Sequence, residues 1–408
     1  MLGKVCSMNL THGDDRQYWR FWPIVCLSFL YPINNALINL AIPLYYFKQG
    51  VPIQTIGILA ASMTITYCFS PILFNKVSDK IGRKKSIGIA LMGTSFAQLI
   101  FYFTLDPPIF FIARLIEGLV MGLYWSNLQA TISENAKHDP NKYMAKFNFG
   151  WNSGVLSGFL LGALILFRID DLTIIFYIAP ILVFVSLIIT LLFFKETDAV
   201  KLNRIVLNEY NNGSNLNPEI KNQQRIDPVI PLIMPVLLVV AFSFQKASLN
   251  LLYSIKSEIL GFDTYTVYLL AFFSLTTQLF STSLSSYLSI KTLKRVSIIC
   301  IIALIIINFL FAINSNFLIF IALFFIMGFF AGIIYSFGLK LSILLNAEHK
   351  TSKYSSICES SMGLTFLIIP IMSAYIATIN INYGFYAISF GFVIFLIVIQ
   401  IFLKKIKI

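Results

Sequence analysis

Residues 75–85 read Asn-Lys-Val-Ser-Asp-Lys-Ile-Gly-Arg-Lys-Lys, a short basic stretch between two apolar segments that are each long enough to cross a bilayer. A connection this short joins antiparallel neighbours, and its Lys and Arg residues assign it to the cytoplasmic face. Gly82 suits a helix end that needs a positive φ, while Asp79 can cap a helix or pair with Arg83. The stretch therefore predicts two membrane-spanning helices that are joined on the cytoplasmic side.

The composition of the whole chain also indicates a membrane protein. Of its 408 residues, 58% are hydrophobic and 12% are charged, whereas soluble domains carry about 25% charged residues. The net charge of +12 comes from bases in polar loops, which fits attraction to anionic lipid better than nucleic-acid binding. Residues 1–18 lack an apolar core, so we expect no cleavable signal peptide. The five cysteines are scattered without a C-x-x-C pair, so we expect no disulfide, zinc site or cofactor.

About twelve apolar stretches reach the length of roughly 18 residues that a membrane-spanning helix needs. They predict an all-α membrane protein with twelve transmembrane helices. We number these spans 1 to 12 and place them at approximately 20–47, 53–75, 85–104, 109–133, 143–167, 172–194, 231–256, 265–288, 295–313, 317–344, 353–377 and 383–403.

One long polar connection divides the spans into two groups of six. Residues 195–230 are rich in Asn and charge, which predicts a flexible cytoplasmic linker. About 25 of the 30 Lys and Arg residues fall in the tails and the even-numbered connections, and about three (Lys48, Arg168 and Lys256) fall in the odd-numbered ones. Both termini are therefore expected in the cytoplasm. The predicted division is a tail at 1–19, a six-helix bundle at 20–194, the linker at 195–230, a second bundle at 231–403 and a basic tail at 404–408.

The two halves resemble each other at an offset of about 211 residues. Apolar sequences align easily, so the polar and glycine landmarks that agree in order are the stronger indication. These landmarks are 34–40 with 245–251, Gly50 with Gly261 and, after a shift of one residue, Gly118 with Gly328 and Gly122 with Gly332. The sequence therefore predicts an internal repeat of six spans.

Two motifs resemble signatures of the major facilitator superfamily of transporters. Residues 79–85, between spans 2 and 3, are similar to the loop signature of the family, with Asn75 at the position of its usual first Gly. Arg114, followed by Gly118 and Gly122, resembles its span-4 signature. The resemblance implies two pseudo-symmetric six-helix bundles around a central cavity that spans 1, 4, 7 and 10 line. Spans 3, 6, 9 and 12 would face lipid.

Four ionisable side chains lie well inside spans: Arg114, Glu117, Lys246 and Glu359. Such a group costs at least about 2.5 kcal/mol near the bilayer centre and therefore faces a partner or water. Arg114 and Glu117 are i,i+3 neighbours, which fits either a self-contained ion pair or a substrate site. Arg114 and Lys246 are expected to flank one cavity. Glu117 and Glu359 are the candidates for proton coupling, and Glu359 alternatively fits a cytoplasmic gate.

Asparagine and glutamine side chains occupy matching positions in spans 1 and 7: Asn34, Asn35 and Asn39 in the first, Gln245 and Asn250 in the second. Amides both donate and accept hydrogen bonds, which suits a polar substrate. Hydrogen bonds that only hold the bundle together explain the same residues equally well.

Glycine recurs every four residues along span 5, at positions 150, 154, 158 and 162. This spacing predicts one glycine face that allows another helix to approach closely.

The connection between spans 2 and 3 supplies a candidate cytoplasmic gate. The family resemblance implies that Asp79, Gly82, Arg83 and Lys84, together with Glu134 at the inner end of span 4, form contacts that close this side. These contacts would break when the two halves rock against each other.

Together these features predict a proton-coupled secondary transporter of the plasma membrane that works by alternating access. The amide clusters and paired bases favour a polar or anionic solute, and Tyr335 offers a ring for stacking. Efflux of amphipathic drugs is the alternative, which the abundant Phe would suit. We expect a monomer whose partners are the lipid bilayer, a small solute and protons.

Other functional classes find less support in the sequence. No G-x-x-x-x-G-K-[ST] motif indicates ATP-driven pumping. A membrane enzyme would need clustered His, Asp or Cys, but the three His residues fall in polar tails or loops. A receptor without flux would favour long cytoplasmic domains, which the sequence lacks. We therefore predict that the protein is not an enzyme.

Overall fold

A computed structural model describes residues 21–135, 140–195, 231–348 and 353–404. These residues form helices, without strands, as the sequence predicts. The helices are α1 (Trp22–Lys48), α2 (Ile53–Tyr67), α3 (Ser70–Ile81), α4 (Arg83–Leu99), α5 (Pro107–Met121), α6 (Trp125–Asn135), α7 (Pro140–Arg168), α8 (Thr173–Phe193), α9 (Ile233–Ile259), α10 (Thr264–Ser286), α11 (Ile290–Ile313), α12 (Phe317–Glu348), α13 (Lys353–Ala377) and α14 (Ile381–Leu403).

Eleven segments within this part of the chain are long and apolar enough to cross a membrane. The third predicted span is the exception by length, because α4 has 17 residues and continues only as a 3-10 turn, Ile100–Tyr102. Residues 1–19 and nearly all of the predicted linker lie outside the described ranges.

Spans 2 and 4 are each interrupted, which the sequence analysis did not predict. Span 2 is divided into α2 and α3, and Pro71 stands at the start of α3. Because Pro lacks an N–H group, it cannot continue the hydrogen-bond ladder of α2. Span 4 is divided into α5 and α6 just after Gly122, and a Cβ placed on Gly122 would lie 2.3 Å from Ser70 Oγ. The two interruptions therefore contact each other.

Equivalent turns support the internal repeat. Gly50 follows α1 with φ +73°, and Gly261 follows α9 with φ +72°. Their N–H groups donate to the carbonyls of Phe47 and Glu258, each at 3.0 Å. Glycine is favoured at both sites because other residues rarely adopt this left-handed conformation.

Equivalent helix contacts follow the same offset. Thr66 Oγ1 in α2 donates to the Leu115 carbonyl in α5, and Thr277 Oγ1 in α10 donates to the Phe325 carbonyl in α12, both at 2.7 Å. The repeat predicted from a few landmarks therefore extends to the hydrogen bonds between helices.

Glycines let these helices touch at the same points. A Cβ on Gly118 would lie 1.8 Å from the Met63 carbonyl oxygen, and one on Gly328 would lie 1.9 Å from that of Ser274. No side chain fits at such distances, so both glycines are needed for the observed helix packing.

The glycine face of α7 packs as predicted against a neighbouring helix. Gly150, Gly154 and Gly158 meet α1, and a Cβ on Gly154 would lie 2.2 Å from the Phe29 carbonyl oxygen. Gly162 instead meets the ring of Tyr268 in α10, which belongs to the other half of the protein.

The two halves contact each other through α2 with α13 and α7 with α10. We call the end of the bundle where α1 begins and α14 ends the terminal side, and the opposite end the far side. On the far side, Tyr268 donates to the Leu37 carbonyl at 2.6 Å and Tyr265 packs on Phe167 at 5.3 Å between ring centroids. Lys48 also donates to Thr264 and lies 3.8 Å from Glu258.

On the terminal side, α7 and α10 separate. A cavity of about 240 Å³ lies between them, with Asn148 and Phe149 on one wall and Thr282 and Ser283 on the other. The two halves are therefore joined on the far side and parted along this seam on the terminal side.

Candidate central cavity

A larger cavity of about 350 Å³ lies between the two halves. Its walls come from α1, α2, α5, α6 and α7 in the first half and from α9, α10, α12 and α13 in the second. The helices α4, α8, α11 and α14 contribute none of its lining residues. The outer spans 3, 6, 9 and 12 are therefore those that the family resemblance implied, but spans 2, 5, 8 and 11 line the cavity together with the implied spans 1, 4, 7 and 10. Asn148, Tyr335 and Leu339 line both cavities, so the central cavity continues into the seam on the terminal side.

Most of the candidate substrate residues face this cavity. They are Asn35, Asn39, Arg114, Lys246, Asn250 and Tyr335, and the proton-coupling candidate Glu359 faces the cavity as well. Asn34, Glu117 and Gln245 are fully buried but do not line it. The predicted helices are right for these three residues, but the rotation of each helix directs the side chain into the bundle wall.

Arg114 and Glu117 form a buried ion pair. Arg114 Nη1 lies 2.6 Å from Glu117 Oε2, and their side chains are 1% and 0% exposed. Gln98 in α4 donates to the other carboxylate oxygen at 2.8 Å. Arg114 Nη2 reaches Asn39 Oδ1 at 3.4 Å. Glu117 therefore neutralises most of the charge that Arg114 brings to the cavity wall.

Gln245 makes a reciprocal amide pair within the second half. Its Nε2 donates to Asn308 Oδ1 at 3.1 Å, and Asn308 Nδ2 donates back to Gln245 Oε1 at 2.7 Å. This pair joins α9 to α11, as the alternative of interhelical hydrogen bonding proposed. Asn34, at the equivalent position of the first half, is buried and makes no such bond among the described residues.

Lys246 and Glu359 bring the uncompensated charges of the cavity. Within the described part of the chain, no hydrogen bond or ion pair reaches the Lys246 ammonium. Glu359 Oε1 accepts a hydrogen bond of 3.4 Å from Gln129 Nε2, which crosses from α13 to α6. The two charges do not pair with each other within 4.0 Å. The cavity thus presents one ammonium and one carboxylate to a ligand.

Aromatic rings form one wall of the cavity. Phe242 and Tyr335 lie 4.5 Å apart between centroids with an interplanar angle of 31°, and Trp151 lies 6.3 Å from Tyr335 at 32°. Trp125 lines the cavity as well. We name Phe242, Tyr335 and Trp151 the aromatic wall. Tyr335 was predicted from the sequence as a stacking ring, whereas Trp151, on the helix that carries the glycine face, was not.

Two glutamines of the cavity were also missed. Gln129 contacts Glu359, and Gln278 in α10 is fully buried with both amide atoms unpartnered among the described residues. A rule that singled out every amide inside a span, and not only those of spans 1 and 7, would have found both.

The candidate gate residues lie at the terminal side. Gly82 has φ +102°, as its predicted role at a helix end requires. Arg83 Nη1 donates to Ser78 Oγ and Asn127 Oδ1, both at 2.9 Å, and Lys84 donates to the Leu191 carbonyl at the end of α8 at 2.8 Å. These contacts stay within the first half.

The side chains of Asp79 and Glu134 lie outside what the structure describes. The predicted contact between Arg83 and Glu134 therefore remains a prediction.

Comparison with known proteins gives the family. Residues 24–295 and 236–407 match the description "Major Facilitator Superfamily". The chain belongs to the major facilitator superfamily. Its fold is similar to the crystal structure of the nucleoside transporter NupG, with a TM-score of 0.69 at 15% identity over 94% of this chain and 99% of that one.

Two curated relatives match parts of the chain. The multidrug transporter mfsB of Aspergillus fumigatus is 30% identical over 109 residues, which are 26% of this chain and 18% of that protein. The quinolone resistance protein NorA of Staphylococcus aureus is 26% identical over 135 residues, which are 33% of this chain and 34% of that protein. The matched residues thus span 18% and 34% of the lengths of these two relatives. Membership of this transporter superfamily agrees with the predicted multi-pass membrane protein and with the prediction that it is not an enzyme.

Proposed function

We propose that this superfamily member is a secondary active transporter that moves a small polar or anionic solute across the plasma membrane by alternating access. The observation that carries the proposal is the central cavity, which is lined by amides and by the unpaired Lys246 ammonium. An ammonium held away from bulk water favours an anionic partner. Asn35 and Asn250 add groups that both donate and accept hydrogen bonds.

Contacts on the two sides of the bundle support alternating access. The far-side contacts of Tyr268, Tyr265 and Lys48 hold the halves together beyond the cavity. The seam between α7 and α10 parts them on the terminal side. Rocking of the two halves would break the first set of contacts and close the second region. On this proposal the described arrangement is open towards the terminal side along the seam between α7 and α10, while Gln129 and Glu359 still connect the two halves.

The positive-inside rule supports a cytoplasmic terminal side, because the basic residues concentrate there. On this orientation the described state is open to the cytoplasm. We keep the expectation of a monomer, since the cavity is enclosed by helices of one chain.

Glu359 is the stronger of the two candidates for proton coupling. Glu117 is held by Arg114 and Gln98 inside the wall. Glu359 lines the cavity and has no cationic partner among the residues that the structure describes. A carboxylate that exchanges protons during transport needs access from the cavity, which Glu359 has and Glu117 lacks.

The test measures uptake of labelled polar solutes into proteoliposomes, with and without an imposed pH gradient. We expect gradient-driven uptake by the wild type, its loss in Arg114→Ala, and its retention in the control Arg168→Ala, whose side chain is exposed at the end of α7. Glu359→Gln should abolish accumulation against a gradient. Uphill uptake that survives Glu117→Gln plus Glu359→Gln would refute proton coupling.

Multidrug efflux is the second candidate, because NorA and mfsB are named for drug resistance or multidrug transport. The aromatic wall suits an amphipathic compound as well. Transport of dyes but not of polar solutes, unaffected by Arg114→Ala, would favour this function.

A further inference from the structure

The charges of the central cavity allow a narrower description of its ligand, and this description rests on the proposed transport function. Three charged side chains line the cavity: Arg114, Lys246 and Glu359. Arg114 is neutralised by Glu117 at 2.6 Å. The charges left for a ligand are therefore one ammonium and one carboxylate.

Both remaining charges lack a counter-ion within the described ranges. The Lys246 ammonium has no described partner, and Glu359 accepts only the long amide hydrogen bond of Gln129 at 3.4 Å. An unpaired charge in a span is costly. A ligand that brings the opposite charge to each position would relieve both costs, whereas a simple anion would relieve only one.

The aromatic wall connects the two charges. Phe242 and Lys246 are i,i+4 neighbours on α9, so they share one helix face and lie about 6 Å apart along the axis. At the other end of the wall, Tyr335 of α12 and Glu359 of α13 line the same cavity. A planar ring that stacks on Phe242 and Tyr335 would therefore have Lys246 towards one end and Glu359 towards the other.

The distance between the charges sets the length of the ligand. The helices α9 and α13 run in the same direction and pack against each other. Lys246 lies near the middle of α9 and Glu359 in the second turn of α13, so the two charges lie at different depths of the bundle. Probes with one and with two rings therefore compare a shorter and a longer separation between the charged groups.

We infer that the cavity selects an aromatic zwitterion, whose anionic group pairs with Lys246 and whose ammonium pairs with Glu359 while its ring stacks on the aromatic wall. Neither charge alone specifies this ligand class. It follows from their joint exposure in one cavity after Arg114 has been neutralised.

The test uses three matched probes on one scaffold, measured by isothermal titration calorimetry on the full chain in nanodiscs. The zwitterion is 4′-(aminomethyl)biphenyl-4-carboxylate, the anion carries hydroxymethyl in place of aminomethyl, and the cation carries hydroxymethyl in place of carboxylate. The one-ring versions of all three probes test the length. We expect the two-ring zwitterion to bind at least tenfold more tightly than either singly charged probe.

Two variants test which residue recognises which charged group of the zwitterion. In Lys246→Met the zwitterion should bind no better than the cation, and in Glu359→Gln no better than the anion. Lys291→Met, at an exposed position of α11, is the control and should keep both preferences. Thermal unfolding of each variant checks that it is folded.

Several results would overturn the inference. The wild type would bind the zwitterion and the anion equally well, or neither the one-ring nor the two-ring zwitterion would bind. Alternatively, Lys246→Met and Glu359→Gln would both still bind the zwitterion more tightly than the singly charged probes. Zwitterion preference without gradient-driven uptake would instead refute the proposed secondary transport and leave the ligand class standing. Uphill uptake of other solutes without zwitterion preference would refute the ligand class alone.

Discussion

The buried pair of Arg114 and Glu117 offers the sharpest test of how charge is balanced in the bundle. We consider Arg114→Met, Glu117→Gln and the double variant. Each single change leaves one ionic group buried without its partner, since both side chains are at most 1% exposed. The double variant removes both charges and keeps side chains of similar length.

The geometry sets the magnitude. At 2.6 Å between Nη1 and Oε2, the Coulomb attraction is about 6 kcal/mol for an effective dielectric constant of about 20. Desolvation of the two groups opposes this attraction, and loss of one partner of a buried pair typically destabilises by about 3–5 kcal/mol. We therefore expect each single variant to lose about 3–5 kcal/mol of unfolding free energy, and the double variant to recover most of that loss.

Unfolding in mixed micelles, followed by circular dichroism, measures the unfolding free energies of the wild type, the two single variants and the double variant, which together form a double-mutant cycle. Arg168→Met serves as a control for the removal of an exposed Arg. A double variant as unstable as the sum of the single variants would refute the pairing. Proteoliposome uptake adds a second readout: because Arg114 also lines the cavity, the double variant should regain stability but not transport.

Three further predictions concern packing and helix ends. Gly118→Ala places a Cβ 1.8 Å from a backbone carbonyl oxygen and should lower the unfolding free energy by about 1–3 kcal/mol. The control Gly88→Ala, whose Cβ would meet no atom within 4 Å, should leave the melting temperature unchanged. Equal melting temperatures for the two variants would contradict the packing role of Gly118. Lys48→Ala removes the far-side contact with Glu258, which is worth about 1 kcal/mol. The population in which the two halves are apart on the far side should therefore rise about fivefold, as measured by electron paramagnetic resonance distances between the far ends of α7 and α10. An unchanged distance distribution would show that this contact does not hold the halves together. Lys256 donates to two carbonyls at the end of α11, at 2.6 and 2.9 Å. Lys256→Met leaves both carbonyls without this donor and should lower the unfolding free energy by about 2 kcal/mol or more, whereas Lys256→Arg should lose less. A Met variant as stable as the wild type would contradict this role.

The role of Lys256 shows where span boundaries limit sequence analysis. The predicted seventh span ends at 256, and the charge count therefore assigns Lys256 to an odd-numbered connection. In the structure α9 continues to Ile259, and the Lys256 ammonium is buried against α11 and donates to Asn382 at 2.9 Å. A local hydropathy window does not detect the acceptors, because they come from residues more than 50 positions away.

The interruptions of spans 2 and 4 also depend on contacts with residues distant in sequence. Pro71 is visible in the sequence, but proline is tolerated inside membrane helices. The break in span 4 follows Gly122, whose close contact with Ser70 comes from another helix. Whether a helix bends or ends at such a residue depends on the neighbour that takes up the freed backbone groups.

The amino-acid sequence was enough to predict the number and order of the spans and the repeat of six spans. Each of these depends on composition and periodicity along the chain, and burial in lipid makes that pattern strong. The tertiary structure alone decided which charges remain available. Rotation of each helix turns Gln245 and Glu117 into the wall and leaves Lys246 and Glu359 facing the cavity. Which side chains face the cavity depends on packing between helices that are far apart in the sequence, so a local sequence pattern does not reveal it.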